Sequence, residues 1–492
     1  MSKNLDLLLV NSGGSKKRVY QELSEDYSAI EPPFWSALTA GFIQNRGYDV
    51  NILDANAKNL SFNETAKEIE NINPKLVNIV VYGQHPSAST QLMSSVGDLC
   101  KTIKEINSER KIILTGLHPS ALPKRTITEE SCDYVAEGEG FHTLIGLLEN
   151  NRLNKIPGLW YKESGEIKSN SRAQNIKNLT EELGNVAWDL LDLDKGIYKA
   201  HNWQCLDNFN ERKNYASLST SLGCPFQCDF CSIWKTYGER GVRYWNPKWV
   251  VDQIEYLFEE KNVKTFKIID EMFLLKPSHY KEISNKLIER GLGDKINIWA
   301  YARVDTTKEN DLELIRKAGF KWLCFGFESG NNEIIKEVNK GQFTKEDMKR
   351  LSDKVKSFDI NILGNYMFGF PNDNLETMQE TLDLAIDQNC EFVNLYCAIA
   401  WPGSKLYEET LNKGIRTPKS WSDFAQHSYG FIPLPTKNIS SEKVLKFRDD
   451  AFQKYFTNNN YLNMIEKKFG IEAKRHIEKM SQFKLKREIF RD

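Results

Sequence analysis

Cys224, Cys228 and Cys231 fall within eight positions of a 492-residue chain that holds nine cysteines in all. Their CxxxCxxC spacing lets three thiolates from one tight loop each bind one iron of a cubane cluster. The fourth iron is then left without a protein ligand, and its open position is reserved for a small molecule. Zinc is a weaker alternative, because structural zinc sites favour paired CxxC units and need a fourth Cys or His that this loop does not supply. A simple electron-carrying cluster is another alternative, in which an open iron has no use. The remaining cysteines, Cys100, Cys132, Cys205, Cys324, Cys390 and Cys397, are scattered, several of them in apolar runs, and read as small buried hydrophobes.

Two alternating series of elements must position that loop. Apolar runs at Leu5–Val10, Asp49–Asp54, Leu76–Tyr82, Lys111–Gly116 and Cys132–Gly138 alternate with helical spacing, notably over Phe34–Arg46 and Ala88–Ile106. This predicts an α/β, doubly wound (Rossmann-like) domain over 1–152, whose ligands bind outside the carboxyl ends of the strands. The loops there are NSGGSKK, YGQHPSAS and TGLHPSALP. Residues 153–210 read as a linker with a hairpin at Gly158–Lys168. Over 211–406 six more strand candidates, Tyr215–Ser221, Thr265–Asp270, Ile296–Ala302, Trp322–Glu328, Ile362–Gly369 and Phe392–Ala400, alternate with helices such as Trp249–Glu260 and Glu376–Ile386. Six βα units predict a partial barrel with its chemistry at the C-terminal strand ends, and the cysteine loop follows the first strand directly. Residues 407–492 read as a helical segment. In it Val444, Leu445, Phe447, Arg448, Ala451, Phe452 and Tyr455 form a stripe read as packing surface in preference to a partner-binding face. The mixed charges of 472–492 read as a solvated helix.

With these neighbours added to the cysteines, the chain resembles the radical S-adenosylmethionine (radical SAM) superfamily. The resemblance implies that the open iron binds the amino and carboxylate groups of S-adenosylmethionine, and that one electron splits the sulfonium to give a 5′-deoxyadenosyl radical. Phe230 matches the aromatic near the adenine. Asp270 and Glu271, in DEMF, match the acidic motif that faces the ammonium group, and Arg303, in AYARVDTT, a basic position suited to the methionyl carboxylate. Glu328, in GFESGNNEII, follows the fourth strand, and GFPNDNLET and WPGSKLY match the fifth- and sixth-strand loops. Without the resemblance, Arg303 and Glu328 read equally as a structural ion pair.

The first domain is similar to the cobalamin-binding domain that precedes the radical core in class B radical SAM methyltransferases and their kin. The matching stretches are Pro32–Ala55, Thr115–Pro123 and Asp133–Leu144. The similarity implies cobalamin contacts from Asn11, Ser12 and Gly13, from Tyr82, Gln84 and His85, from Thr115, Gly116 and His118, and from Glu137, Gly138 and Glu139. One departure stands out: the first-strand loop lacks the histidine of the Asp-x-His-x-x-Gly pattern. Cobalt is therefore expected without a histidine from that loop, its lower face left to Tyr82, Gln84 or His85. His85 and His118 read equally as polar loop residues, and the residues alone give only a domain for some flat or nucleotide-like ligand.

Together these resemblances imply a 4Fe-4S cluster, S-adenosylmethionine and cobalamin as cofactors. They imply methylation of an unactivated carbon of a small-molecule substrate, with an electron donor such as flavodoxin or ferredoxin. A cobalamin-dependent radical SAM oxidoreductase or cyclase without methyl transfer is the alternative. Methylthiotransferases carry a second cysteine set in the first domain, which here has only Cys100 and Cys132. A net charge of -1 gives no global field for nucleic acid, and no stretch approaches a membrane span. The expectation is a cytoplasmic enzyme.

Overall fold

The computed structural model describes residues 5–24, 26–82, 86–338, 340–341 and 343–491. Its first sheet has seven strands, β1 (Leu7–Asn11), β2 (Val50–Asp54), β3 (Leu76–Val81), β4 (Ile112–Gly116), β5 (Tyr134–Ala136), β6 (Leu159–Glu163) and β7 (Glu166–Ser169), in the order β2-β1-β3-β4-β5-β6-β7. The first five run parallel and β6 and β7 antiparallel. Side chains alternate across the sheet, so Leu7 and Leu9 enter the core that holds Phe34, Leu38 and Phe42, while Leu8 and Val10 meet Met93, Val96 and Leu99 on the other face. Burying each such side chain contributes about 1.5–3 kcal/mol, which is why the central strands β1, β3 and β4 are largely apolar.

The hairpin expected within a linker is instead part of this sheet: Tyr134 to Ala136 pair with Leu159 to Tyr161. Its apolar residues Leu159 and Tyr161 are buried beside Ile156, and β5, otherwise an edge strand, gives their backbone a partner on the side away from β7.

The second sheet has six parallel strands, β8 (Tyr215–Leu218), β11 (Thr265–Ile268), β12 (Asn297–Ala302), β13 (Phe320–Glu328), β14 (Asn361–Phe368) and β15 (Phe392–Cys397), ordered β15-β14-β13-β12-β11-β8. A short antiparallel pair, β9 (Ser221–Leu222) and β10 (Arg243–Tyr244), flanks the cysteine loop. The sheet is a partial barrel with β8 and β15 at its edges. Helix Ser441–Phe456 packs on β15 with Val444, Leu445 and Tyr455 buried. The stripe read from the sequence is thus a packing face. The tail departs from expectation: its helix ends at Ser481, Ala473, Ile477 and Met480 are buried, and Arg487 is wholly buried against Asp449. The six scattered cysteines are all buried.

Candidate active site

The cysteine loop leaves β9 through Gly223, whose φ is +103° and whose missing Cβ would lie 2.4 Å from the carbonyl oxygen of Gly241. Only glycine fits there. The Cys231 amide donates to the Cys228 carbonyl at 3.0 Å, closing a turn on which all three thiols are half-buried. Asp229 anchors the loop, its carbonyl accepting from the Leu406 amide at 3.0 Å and its carboxylate pairing with Lys405 at 2.8 Å. Burial pushes the Cys224 thiol up to about 11 and Cys231 higher still, Glu271 adding to both. A bound cation reverses that preference by stabilising thiolate. Among the described residues no three His, Cys, Asp or Glu side chains already converge on a metal position, so ligation would draw the three thiols together.

The two neighbouring acids are not equivalent. Asp270 is buried and accepts three hydrogen bonds at 2.6 Å, from the Thr220 amide, the Thr220 hydroxyl and the Ser221 hydroxyl. It fixes the chain just before the cysteine loop, and the first barrel strand accordingly stops at Leu218, before Thr220 and Ser221. Glu271 has no hydrogen-bond partner among the described residues, and burial beside Asp270 pushes it up to about 8. Its carboxyl is the one open to an ammonium group. Arg303 is held by both Asp305 oxygens at 2.9 and 2.7 Å and by the Lys340 carbonyl, and its Nη1 lies 3.9 Å from the Cys228 sulfur. The expected alternative of an Arg303–Glu328 pair is not formed. Glu328, at φ +63°, pairs with Lys340 at 2.7 Å, in space that a side chain on Gly326 would fill. Phe230 lies against Phe370 at 5.8 Å.

At the strand ends of the first sheet, Asn11 donates to Asp54 at 2.8 Å and Ser12 is buried. A Cβ on Gly13 would sit 3.0 Å from two carbonyl oxygens, and one on Gly116, at φ +125°, only 2.1 Å from the Val81 carbonyl. Tyr82 stacks on Trp35 at 4.5 Å, its hydroxyl 3.4 Å from that of Tyr237 beyond the cysteine loop. Gln84 and His85 lie outside the described residues. The other side chains expected to touch cobalamin have internal partners. Thr115 donates to Asn78 at 3.0 Å, and His118, buried and kept neutral, meets the Thr90 hydroxyl at 3.1 Å and packs on Trp421. Glu137 accepts from the Trp160 indole at 2.8 Å and faces Arg172, which also donates to the Lys235 and Thr236 carbonyls. Glu139 accepts from Arg243 at 2.5 Å and from the Ile176 amide at 2.9 Å. Gly138, at φ +99°, gives its amide to Ser120. What these strand ends offer a bulky ligand is backbone and glycine surface.

Comparison with known proteins separates the same two halves. Residues 25–148 match the B12 binding domain and residues 218–385 the radical SAM superfamily. The chain belongs to the cobalamin-dependent radical S-adenosylmethionine enzymes. This enzyme is 27% identical to an uncharacterized methyltransferase of Pyrococcus horikoshii, over 86% of this chain and 88% of that one. It is 28% identical to the anaerobic magnesium-protoporphyrin IX monomethyl ester cyclase of Rubrivivax gelatinosus, over 88% of this chain and 75% of the relative. Its fold is that of the radical S-adenosylmethionine methyltransferase TsrM of Kitasatospora setae, solved with cobalamin and a [4Fe-4S] cluster bound. The TM-score is 0.69 at 16% identity, covering 94% of this chain and 90% of that one.

Both halves of the enzyme border one cavity of about 370 Å³, lined by Asn11, Ser12 and Tyr82 from the first sheet and by Lys267, Trp299, Tyr301 and Asn365 from the barrel interior. Glu31 reaches across from the first half to Lys267 at 2.8 Å and to His201 at 3.1 Å. That crossing pair, Lys340 and Arg448 were not singled out as site residues from the sequence. Only Arg448 left a signal, as a cation inside an otherwise apolar stripe.

Proposed function

We propose that the enzyme moves a methyl group from S-adenosylmethionine, by way of cobalamin, to an unactivated carbon of a small-molecule substrate. The observation that carries this reading is the single cavity bordered by the strand ends of the cobalamin-binding half and by the interior of the radical SAM barrel. When bound, the cluster and cobalamin supply respectively the electron that splits S-adenosylmethionine and the carrier for its methyl group. The chain's part is to bind and orient. Cys224, Cys228 and Cys231 hold the cluster, Glu271 takes the ammonium group of S-adenosylmethionine, Arg303 its carboxylate and Phe230 its adenine. Asp270 and the Glu328–Lys340 pair position these groups. On the other side Asn11, Ser12, Gly13, Tyr82, Gly116 and Gly138 accommodate cobalamin, while Thr115, His118, Glu137 and Glu139 hold the strand-end loops in shape. Holding both cofactors against one substrate converts an encounter of several molecules into a local event. A one-electron donor such as flavodoxin or ferredoxin serves the cluster, in the cytoplasm, where six buried thiols stay reduced.

Likeness to a cyclase over 88% of the chain favours a second reading, radical chemistry without methyl transfer. An anaerobic assay of the reconstituted enzyme decides between them. Methyl transfer yields S-adenosylhomocysteine together with 5′-deoxyadenosine; 5′-deoxyadenosine alone overturns it.

A further inference from the structure

One wall of the cavity carries an unbalanced charge. Arg448, on helix Ser441–Phe456, is 4% exposed; its Nε donates to the Leu395 carbonyl at 2.7 Å and its Nη1 to Asp449 at 2.8 Å. Arg487, fully buried, donates to both oxygens of the same Asp449 at 3.0 Å and to the carbonyls of Gln426 and Ser428. Two guanidinium groups therefore share one carboxylate, and one positive charge is left over. His427 beside them does not add to it: burial and the two arginines hold its ring neutral, down to about 3. The other buried charges on the cavity, Lys267 and Glu31, offset each other. A buried cation without its full set of partners is costly to keep unless something completes it.

The donors that would meet such a partner are in place. Arg448 lines the cavity, and among the described residues its Nη2 has no hydrogen-bond partner. The hydroxyls of Tyr20 and Tyr396, on the same cavity, have none either. Tyr396 is 36% exposed although it sits on an inner strand surface within electrostatic reach of Arg448 and Tyr20, so its open face is towards the cavity. Trp203, Trp299 and Phe392 add flat apolar surface to a wall that elsewhere carries Lys16, Asn365 and Asn394.

We propose that Arg448, with the Tyr20 and Tyr396 hydroxyls, binds an acidic group of the substrate, a carboxylate or a phosphate, so that the molecule acted on is an anion with a flat apolar body. This rests on the reading of the cavity as the substrate site. A guanidinium offers donors only, and each phenol can turn its O–H towards anionic oxygen, so the three together suit an anion.

The test is calorimetric titration of the enzyme, loaded with cluster, cobalamin and S-adenosylmethionine, with benzoate, phenyl phosphate and the neutral isostere benzamide. One of the two anions binds and benzamide does not; benzoate ahead of phenyl phosphate assigns a carboxylate, the reverse a phosphate ester. Arg448→Gln weakens that binding roughly tenfold to a hundredfold. Tyr396→Phe removes a hydroxyl that the fold does not use, so it weakens binding roughly threefold to tenfold with an unchanged Tm. Benzamide binding as tightly as the anions overturns the proposal, as does anion binding unmoved in both variants. So does loss of cobalamin from Arg448→Gln with anion binding intact, which would assign the charge to that cofactor's phosphate. Titration needs no turnover, so failure here leaves methyl transfer to the product assay.

Discussion

Around the cysteine loop, Glu271 has no hydrogen-bond partner among the described residues and the Nη1 of Arg303 meets only a thiol, whereas at the strand ends of the cobalamin-binding half Asp54, Glu137 and Glu139 are already bonded to neighbours. The contrast follows from what each half must hold. A small charged ligand is recognised by side chains with unfilled hydrogen-bonding capacity, and leaving them unfilled raises the energy of the empty site. A large ring system needs a shaped floor, made by letting backbone come close and by tying polar side chains down out of the way.

The sharpest way to break this comparison is Cys228→Ala. Iron retained after anaerobic reconstitution should fall to background while cobalamin, measured optically in the same sample, is kept. Loss of both together would show that the halves do not bind independently. Next in size is Gly116→Ala, which places a Cβ 2.1 Å from the Val81 carbonyl at φ +125°. It should cost about 2–4 kcal/mol in thermal unfolding and abolish cobalamin retention without touching iron content. Arg243→Ala leaves the buried Glu139 without its counter-charge and with only the Ile176 amide as partner; a loss of about 3 kcal/mol is expected, with cobalamin affinity changed far less than by the glycine variant. The acids near the loop should then part company. Asp270→Asn destabilises by about 1–3 kcal/mol, whereas Glu271→Gln leaves stability nearly unchanged and weakens the S-adenosylmethionine perturbation of the cluster's EPR spectrum. Smallest is Glu130, an acid of the first half set away from the strand ends, which burial pushes from 4.5 up to about 7. The folded chain therefore holds more protons than the unfolded one between these values, so stability falls as pH rises through that window. Glu130→Gln should flatten the fall in a pH series of Tm.

Eleven parallel strands were legible because each is a near-continuous apolar run that only burial on both faces explains. The cysteine triad was legible because its spacing is local. What stayed hidden depends on partners distant in sequence. Asp270 and Glu271 are adjacent, yet the division of labour between them is set by Thr220 and Ser221, about fifty positions earlier. Nothing local to Glu137 or Glu139 announces Arg172 or Arg243. The buried tail was misread for the same reason: Arg487 looks solvated until Asp449 is placed beside it.

The hairpin strands β6 and β7 decide where this polypeptide can be divided. A fragment ending at 152 would surrender the backbone partners that β6 gives β5 and strip the Trp160 indole from Glu137. It would also release Arg172 from the carbonyls that finish the short helix after the cysteines. The two cofactor halves are therefore not modules joined by a tether. The connecting stretch belongs to both: its hairpin completes the sheet of one half, and Arg172, three residues beyond β7, fastens the short helix that follows the three thiols in the other.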